Sequence, residues 1–285
     1  MPRNTTRAKA AASKSVSTLS KLRIATKKFV KQTNRDLMPV YKNGWAMLGI
    51  VAIIIIAQAT LLDRPIVGIY FNAAALAALV ALALWKEKIR QLAISVAIIP
   101  VSTMIVLSLP QTTTFAREVV FYDSILILGL IYRFMFTLDY PIGFTKLTLK
   151  GYALTLPLMA VAGEILGVIG YVMLRHQYIF NKTSLPLVAA TVVVFALAEE
   201  TLFRGLIQQR AAQVMHPMTA AILSTILFTF TSISTTTYLA PLFSLILGAT
   251  LAYTYAKKQN LVLTFTINAL TKLTYIGLMA GFVFR

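Results

Sequence analysis

The sequence predicts an all-α protein, a polytopic membrane helical bundle of about eight to nine transmembrane helices with its N-terminus in the cytoplasm. Three observations predict it. Of the 285 residues, 58% are hydrophobic, and the mean hydropathy is +0.76, far more apolar than a soluble domain of this length. Several apolar runs exceed the roughly 18 residues that mark a spanning helix. Lys and Arg gather in alternate connections between those runs, the pattern that sets orientation in a membrane.

The chain begins with a basic arm, residues 1–43. It holds eleven of the 27 Lys and Arg against a single acid, Asp36. Residues 1–18 are rich in Ser, Thr, Ala and Lys, lack an apolar face, and read as disordered. From Thr18 to Asn34 a basic amphipathic helix is expected, with Leu19, Leu22, Thr26, Phe29 and Val30 on one side. Such a helix suits an anionic lipid surface, so membrane lipid is an expected partner. A solvated tether that only fixes orientation fits the same residues. An acid-poor, Ser-rich leader is also what an organelle transit peptide looks like. No apolar core with a small-residue cleavage site follows the charges, so a secretory signal is not expected. The net charge of +18 reports arm and loop topology, and no nucleic-acid partner is expected.

Nine hydrophobic segments follow, at 44–62, 65–84, 91–109, 117–137, 150–174, 187–207, 218–235, 239–256 and 260–283. We group them as N-terminal transmembrane helices (44–139) and a C-terminal core (140–285). Asp63-Arg64-Pro65 breaks the first two. Lys86, Lys88 and Arg90, then Lys146 and Lys150, then Arg210, then Lys257 and Lys258 mark the cytoplasmic side. The C-terminus is thereby expected outside. In the fifth segment Gly163 and Gly167 form a small-xxx-small face for close helix contact. Glu164 lies between them and needs a partner or a cavity, with Arg133 and Lys272 as candidates. Asp123 lies closer to a membrane face and is more easily hydrated.

The chemistry concentrates at Phe195-Ala-Leu-Ala-Glu-Glu-Thr-Leu-Phe-Arg-Gly-Leu206. A central charged residue costs at least about 2.5–3.5 kcal/mol to insert. Two adjacent carboxylates therefore imply a site or an internal ion pair. In an α-helix Glu200 and Arg204 share a face and can pair. Glu199 is rotated by about 100° and cannot share that geometry equally. One carboxylate held ionised by Arg204, beside a second in an apolar setting, is a way to build a general base. A salt bridge that only locks helix packing is the simpler reading. There is no cysteine, and there are two histidines, His176 and His216. No thiolate nucleophile, disulfide or cofactor is expected, and a conventional zinc site is nearly excluded on inventory.

Glu199-Glu200-Thr-Leu-Phe-Arg204, followed by Gly205, resembles the EExxxR motif of the CPBP family, the CAAX-processing proteases and their bacterial relatives, also called Abi proteins. The resemblance spans about residues 140–283. It includes Ile142-Gly143-Phe144, the run from Ile226 to Ser232, Leu247-Gly248, and the stretch from Asn260 to Thr271. It implies a multi-pass protein of a bacterial cell membrane, or of an organelle membrane, that hydrolyses peptides within the bilayer. The family's second motif, FxxxH, falls on Phe228 and Ser232. Its third, HxxxN, falls on Asn268 and Lys272. Both motif histidines are therefore absent. His216, in the turn after the first motif, is a remote candidate for a relocated proton donor.

By this resemblance Glu199 is the base, with Glu200 and Arg204 supporting it. Asn268 can donate to an oxyanion, a role worth about 2.7–4 kcal/mol in a well-studied protease. Lys272 lies one turn from Asn268, and its ammonium either stabilises negative charge or pairs with a glutamate and quenches it. Ser232 can hydrogen-bond but cannot replace a histidine as acid. Residue counting puts Glu199 and Asn268 within a turn of one another in depth and puts Ser232 deeper. Three readings stay open: a glutamate-dependent endopeptidase, a non-proteolytic relative that binds a peptide, lipid or membrane-protein helix, and a transporter. The transporter is weakest because no internal repeat is visible.

Overall fold

The computed structural model describes residues 49, 51–61, 64–109, 114–136, 149–174, 185–231 and 239–283. The chain divides into two units, Met1–Trp45 and Ala46–Arg285. All described residues belong to the second, and the basic arm expected at 1–43 lies outside them.

Every element among the described residues is helical. We number them α1 (Val51–Leu61), α2 (Pro65–Trp85), α3 (Arg90–Leu107), α4 (Thr114–Phe136), α5 (Leu149–Leu174), α6 (Leu185–Val214), α7 (Pro217–Thr231), α8 (Leu239–Lys258) and α9 (Leu261–Val283). They fall on the nine apolar segments of the sequence. Six of them, α2, α3, α5, α6, α8 and α9, are long and apolar enough to cross a membrane by length and composition; α1 and α7 are shorter apolar helices. Leu, Ile, Val and Phe line their outer surfaces, with Leu154 80% and Leu84 78% exposed. That distribution suits lipid and would be unstable in water. The chain is a multi-pass membrane protein.

Helix α9 is the hub. It packs most extensively on α5, and also contacts α6 and α8. The α5 glycines explain the closeness. A Cβ added at Gly163 would lie 2.7 Å from the Ile267 carbonyl oxygen, and one at Gly167 would lie 2.7 Å from that of Thr271. Thr271 closes the contact by donating its hydroxyl to Gly163 O at 3.1 Å and to Ile267 O at 2.7 Å. The small-xxx-small face read in the sequence is thus the seat of α9.

The α8–α9 turn fixes where α9 starts. Gln259 adopts a left-handed backbone conformation (φ 47), which a residue with a Cβ takes only when its surroundings hold it there. Asn260 then caps α9, its Oδ1 accepting from Leu263 N at 3.2 Å, while its amide donates to Tyr152 OH at 2.8 Å. The cap ties α9 to α5 as well as starting it.

Helix α6 departs from the expected α-helix. From Glu200 to Gln208 it widens to π geometry. A π stretch takes more residues per turn and usually marks a functional site. Here the widening reduces the angle between consecutive side chains. Glu199 and Glu200 are both buried and both face α9.

Candidate functional site

The two carboxylates of α6 meet one amide of α9. Asn268 Nδ2 donates to Glu199 Oε2 at 2.9 Å and to Glu200 Oε1 at 3.0 Å. This orientation is the one physics allows, because Oδ1 in that place would face two anions. One turn along α9, Lys272 Nζ lies 2.8 Å from Glu199 Oε1. From α4, Tyr122 donates its hydroxyl to the same oxygen at 2.8 Å. Glu199 thus accepts three hydrogen bonds, one of them from an ammonium.

Glu200 is held from the other side. Arg204 Nη1 lies 3.5 Å from its Oε1, and both side chains have no exposed surface. Arg204 Nη2 donates to Gly248 O at 3.1 Å. Its guanidinium carbon sits 4.7 Å from the Phe228 ring centroid, a stacking that suits a planar cation. Gly248 is required for this approach: a Cβ there would lie 2.8 Å from Phe228 Cδ1. Farther along α6, Gln208 donates to Ala252 O at 2.8 Å. Helix α8 therefore supplies backbone carbonyls to both Arg204 and Gln208.

The cluster is charge-balanced, two carboxylates against Arg204 and Lys272. Burying charge is expensive unless each is paired and hydrogen-bonded. The balance accounts for four ionisable groups standing together inside an apolar bundle. They differ in access: Lys272 keeps 24% of its side-chain surface exposed, whereas Glu199 keeps 3%. Among the described residues no three His, Cys, Asp or Glu side chains gather at one point.

Of the six residues singled out in the sequence, Glu199, Glu200, Arg204, Asn268 and Lys272 come together. Ser232 lies outside the described residues, one position beyond the end of α7. His216 is exposed in the turn between α6 and α7, where its Nδ1 accepts from Met218 N at 3.2 Å. It lies past the end of α6 at Val214, several helical turns beyond Glu199, and the structure does not bring it to the cluster. Glu164 does not find Lys272, which is engaged by Glu199. Neither does it pair with Arg133; it stands exposed on α5, without an ion pair among the described residues.

Sequence reasoning missed Tyr122. Its neighbour Asp123 was the acid of α4 that the sequence singled out, yet Asp123 is exposed and Tyr122 partly buried against Glu199. The available signal was a hydroxyl-bearing ring in an apolar helix. The ring stacks on Phe195, one helical turn before Glu199, with centroids 4.3 Å apart.

A family model described as type II CAAX prenyl endopeptidase, Rce1-like, matches residues 181–274. No curated protein matches the chain. No solved structure matches it either. The matched segment runs from the start of α6 to just past Lys272, so it contains every described residue of the cluster except Tyr122. Residues 181–274 are thus similar to the Rce1-like type II CAAX prenyl endopeptidases, a likeness that covers α6 to α9 as far as Thr274.

Proposed function

We propose that this chain is an intramembrane CAAX-endopeptidase-like protein whose hydrolytic site is held quenched by Lys272. The observation that carries this reading is the 2.8 Å contact between Lys272 Nζ and Glu199 Oε1. A carboxylate that activates water needs a lone pair directed at that water. Three of the roughly four lone-pair sites of Glu199 are taken, two on Oε1 by Lys272 and Tyr122 and one on Oε2 by Asn268, and the Lys272 ammonium opposes the transfer of a proton to it. Two missing histidines lower the rate further, on the order of 10²–10⁴ for each proton-transfer role lost. Arg204 holds Glu200, and Asn268 positions both carboxylates with its two amide hydrogens; Lys272 must move aside before Glu199 can act. The partial exposure of Lys272 gives it room to do so. The setting inferred from the family resemblance is a bacterial cell membrane, and the substrate class is a membrane-held peptide.

The test is cleavage of a membrane-embedded reporter peptide by the purified protein in vesicles. Wild type is expected to cleave slowly or not at all. Lys272→Asn, which restores the family's residue, is expected to raise cleavage by at least about tenfold, and Glu199→Gln added to it should abolish the gain. Wild-type cleavage that ignores both substitutions would overturn the proposal.

A second reading is favoured by the replacement of both histidines: the site binds a peptide or membrane-protein helix without cutting it. That reading predicts that Lys272→Asn gains no cleavage while a partner still co-purifies.

A further inference from the structure

Helix α5 presents two faces. One, built from Gly163, Leu166, Gly167 and Gly170, seats α9 and α8. The opposite face is a continuous apolar stripe along the whole helix: Leu154, Leu158, Val161, Ile165, Val168 and Val172, each at least 46% exposed. Glu164 is exposed in the middle of that stripe. It lies thirteen residues from Gly151 and ten from Leu174, the ends of the spanning stretch, or about 20 Å and 15 Å along the axis. No residue of the described chain offers it a hydrogen bond or an ion pair. The stripe has no other ionisable group, so the carboxyl does not belong to a hydrated patch.

A carboxyl group at mid-depth on a lipid-facing surface is unfavourable alone, and such groups in membranes pair with a complementary side chain. The glutamate cluster cannot supply it, since Lys272 and Arg204 are already committed. We propose that the outer face of α5 is a docking surface for a transmembrane helix of another protein, one that carries a Lys or Arg near the middle of its span. Glu164 meets that cation. The flanking Val161, Ile165 and Val168 side chains pack beside it and exclude lipid. This surface is separate from the Glu199 cluster and does not depend on whether that cluster hydrolyses anything.

The absence of native cysteine makes the test direct. The full-length protein carrying Val161→Cys is placed in phosphatidylcholine vesicles with a Leu-rich transmembrane peptide that has one central lysine and a nearby cysteine. Disulfide cross-linking is then measured. The expected result is cross-linking at Val161→Cys but not at Ile127→Cys, an exposed position on α4. It should fall about tenfold when Glu164→Gln is added, the scale of one interhelical polar contact. A charge exchange gives the second arm. Glu164→Lys should reject the lysine peptide and accept one with a central glutamate, which shows that the altered protein is folded. Equal cross-linking by an all-Leu peptide would overturn the proposal, as would indifference to Glu164→Gln. Cross-linking of two copies of the chain through Val161→Cys in place of the peptide would assign the face to self-association and overturn it too.

Discussion

Arg204 is the residue on which the cluster's stability rests. It is fully buried, paired with Glu200, bonded to Gly248 O and stacked on Phe228. Removing one partner of a buried pair leaves the other uncompensated, typically at about 3–5 kcal/mol. Arg204→Ala is therefore expected to lower the thermal unfolding midpoint in detergent sharply, whereas Arg204→Lys should lose less. Arg204→Ala unfolding at the wild-type temperature would show that the pair is not structural. Tyr122→Phe removes one hydrogen bond to Glu199 and keeps the ring stacked on Phe195. Its expected cost is about 1–2 kcal/mol in the same assay, with a larger effect on any cleavage seen in Lys272→Asn. At this level the sequence was informative where chemistry was local. EExxxR spacing announced the Glu200–Arg204 pair. Whether Lys272 aids or quenches Glu199 depends on where α9 places its ammonium, and spacing along one helix cannot report that.

The helices were legible because hydropathy and length are enough to find them in a membrane, where every backbone polar group must be satisfied within the segment. The apolar segments read from the sequence correspond to the nine rods. The widened stretch at Glu200–Gln208 was not legible, because hydropathy and length mark a helix without reporting whether its turns close at i+4 or i+5. The α5–α9 seat was half legible: Gly163 and Gly167 gave the face, while its partner needed coordinates. Gly167→Val should clash with Thr271 O, and with Thr274, at a cost of about 1–3 kcal/mol from overpacking. The lowered midpoint should come with faster proteolysis of α9. Asn260→Ala removes the α9 cap at about 1 kcal/mol. A midpoint unchanged by Asn260→Ala would mean that the Tyr152 contact and the α5 glycines hold α9 without it.

For the molecule as a whole, the cysteine-free sequence permits a topology experiment. Single cysteines placed at Lys86 and at Lys258 are expected to react with an impermeant reagent from the cytoplasmic side, and one at Arg64 from the opposite side, as the Lys and Arg distribution dictates. The reverse pattern would invert the orientation. Binding of the full chain to anionic vesicles through the basic arm should weaken steeply with salt, since Debye screening shortens to about 3 Å at 1 M. Salt-insensitive binding would exclude an electrostatic role. The hub position of α9 has one further consequence. Glycines lock it to α5, a capped turn locks it to α8, and Asn268 locks it to α6, so three of its sides are shut. The side of α9 left open at Glu199 is the α4 flank, where Tyr122 and Lys272 stand as doorposts, and under the proposed function that is where a peptide would enter. Narrowing that doorway with Tyr122→Trp should slow the reaction of a cysteine placed at position 272 with a soluble reagent, while bulk added on the α5 side should leave it unchanged.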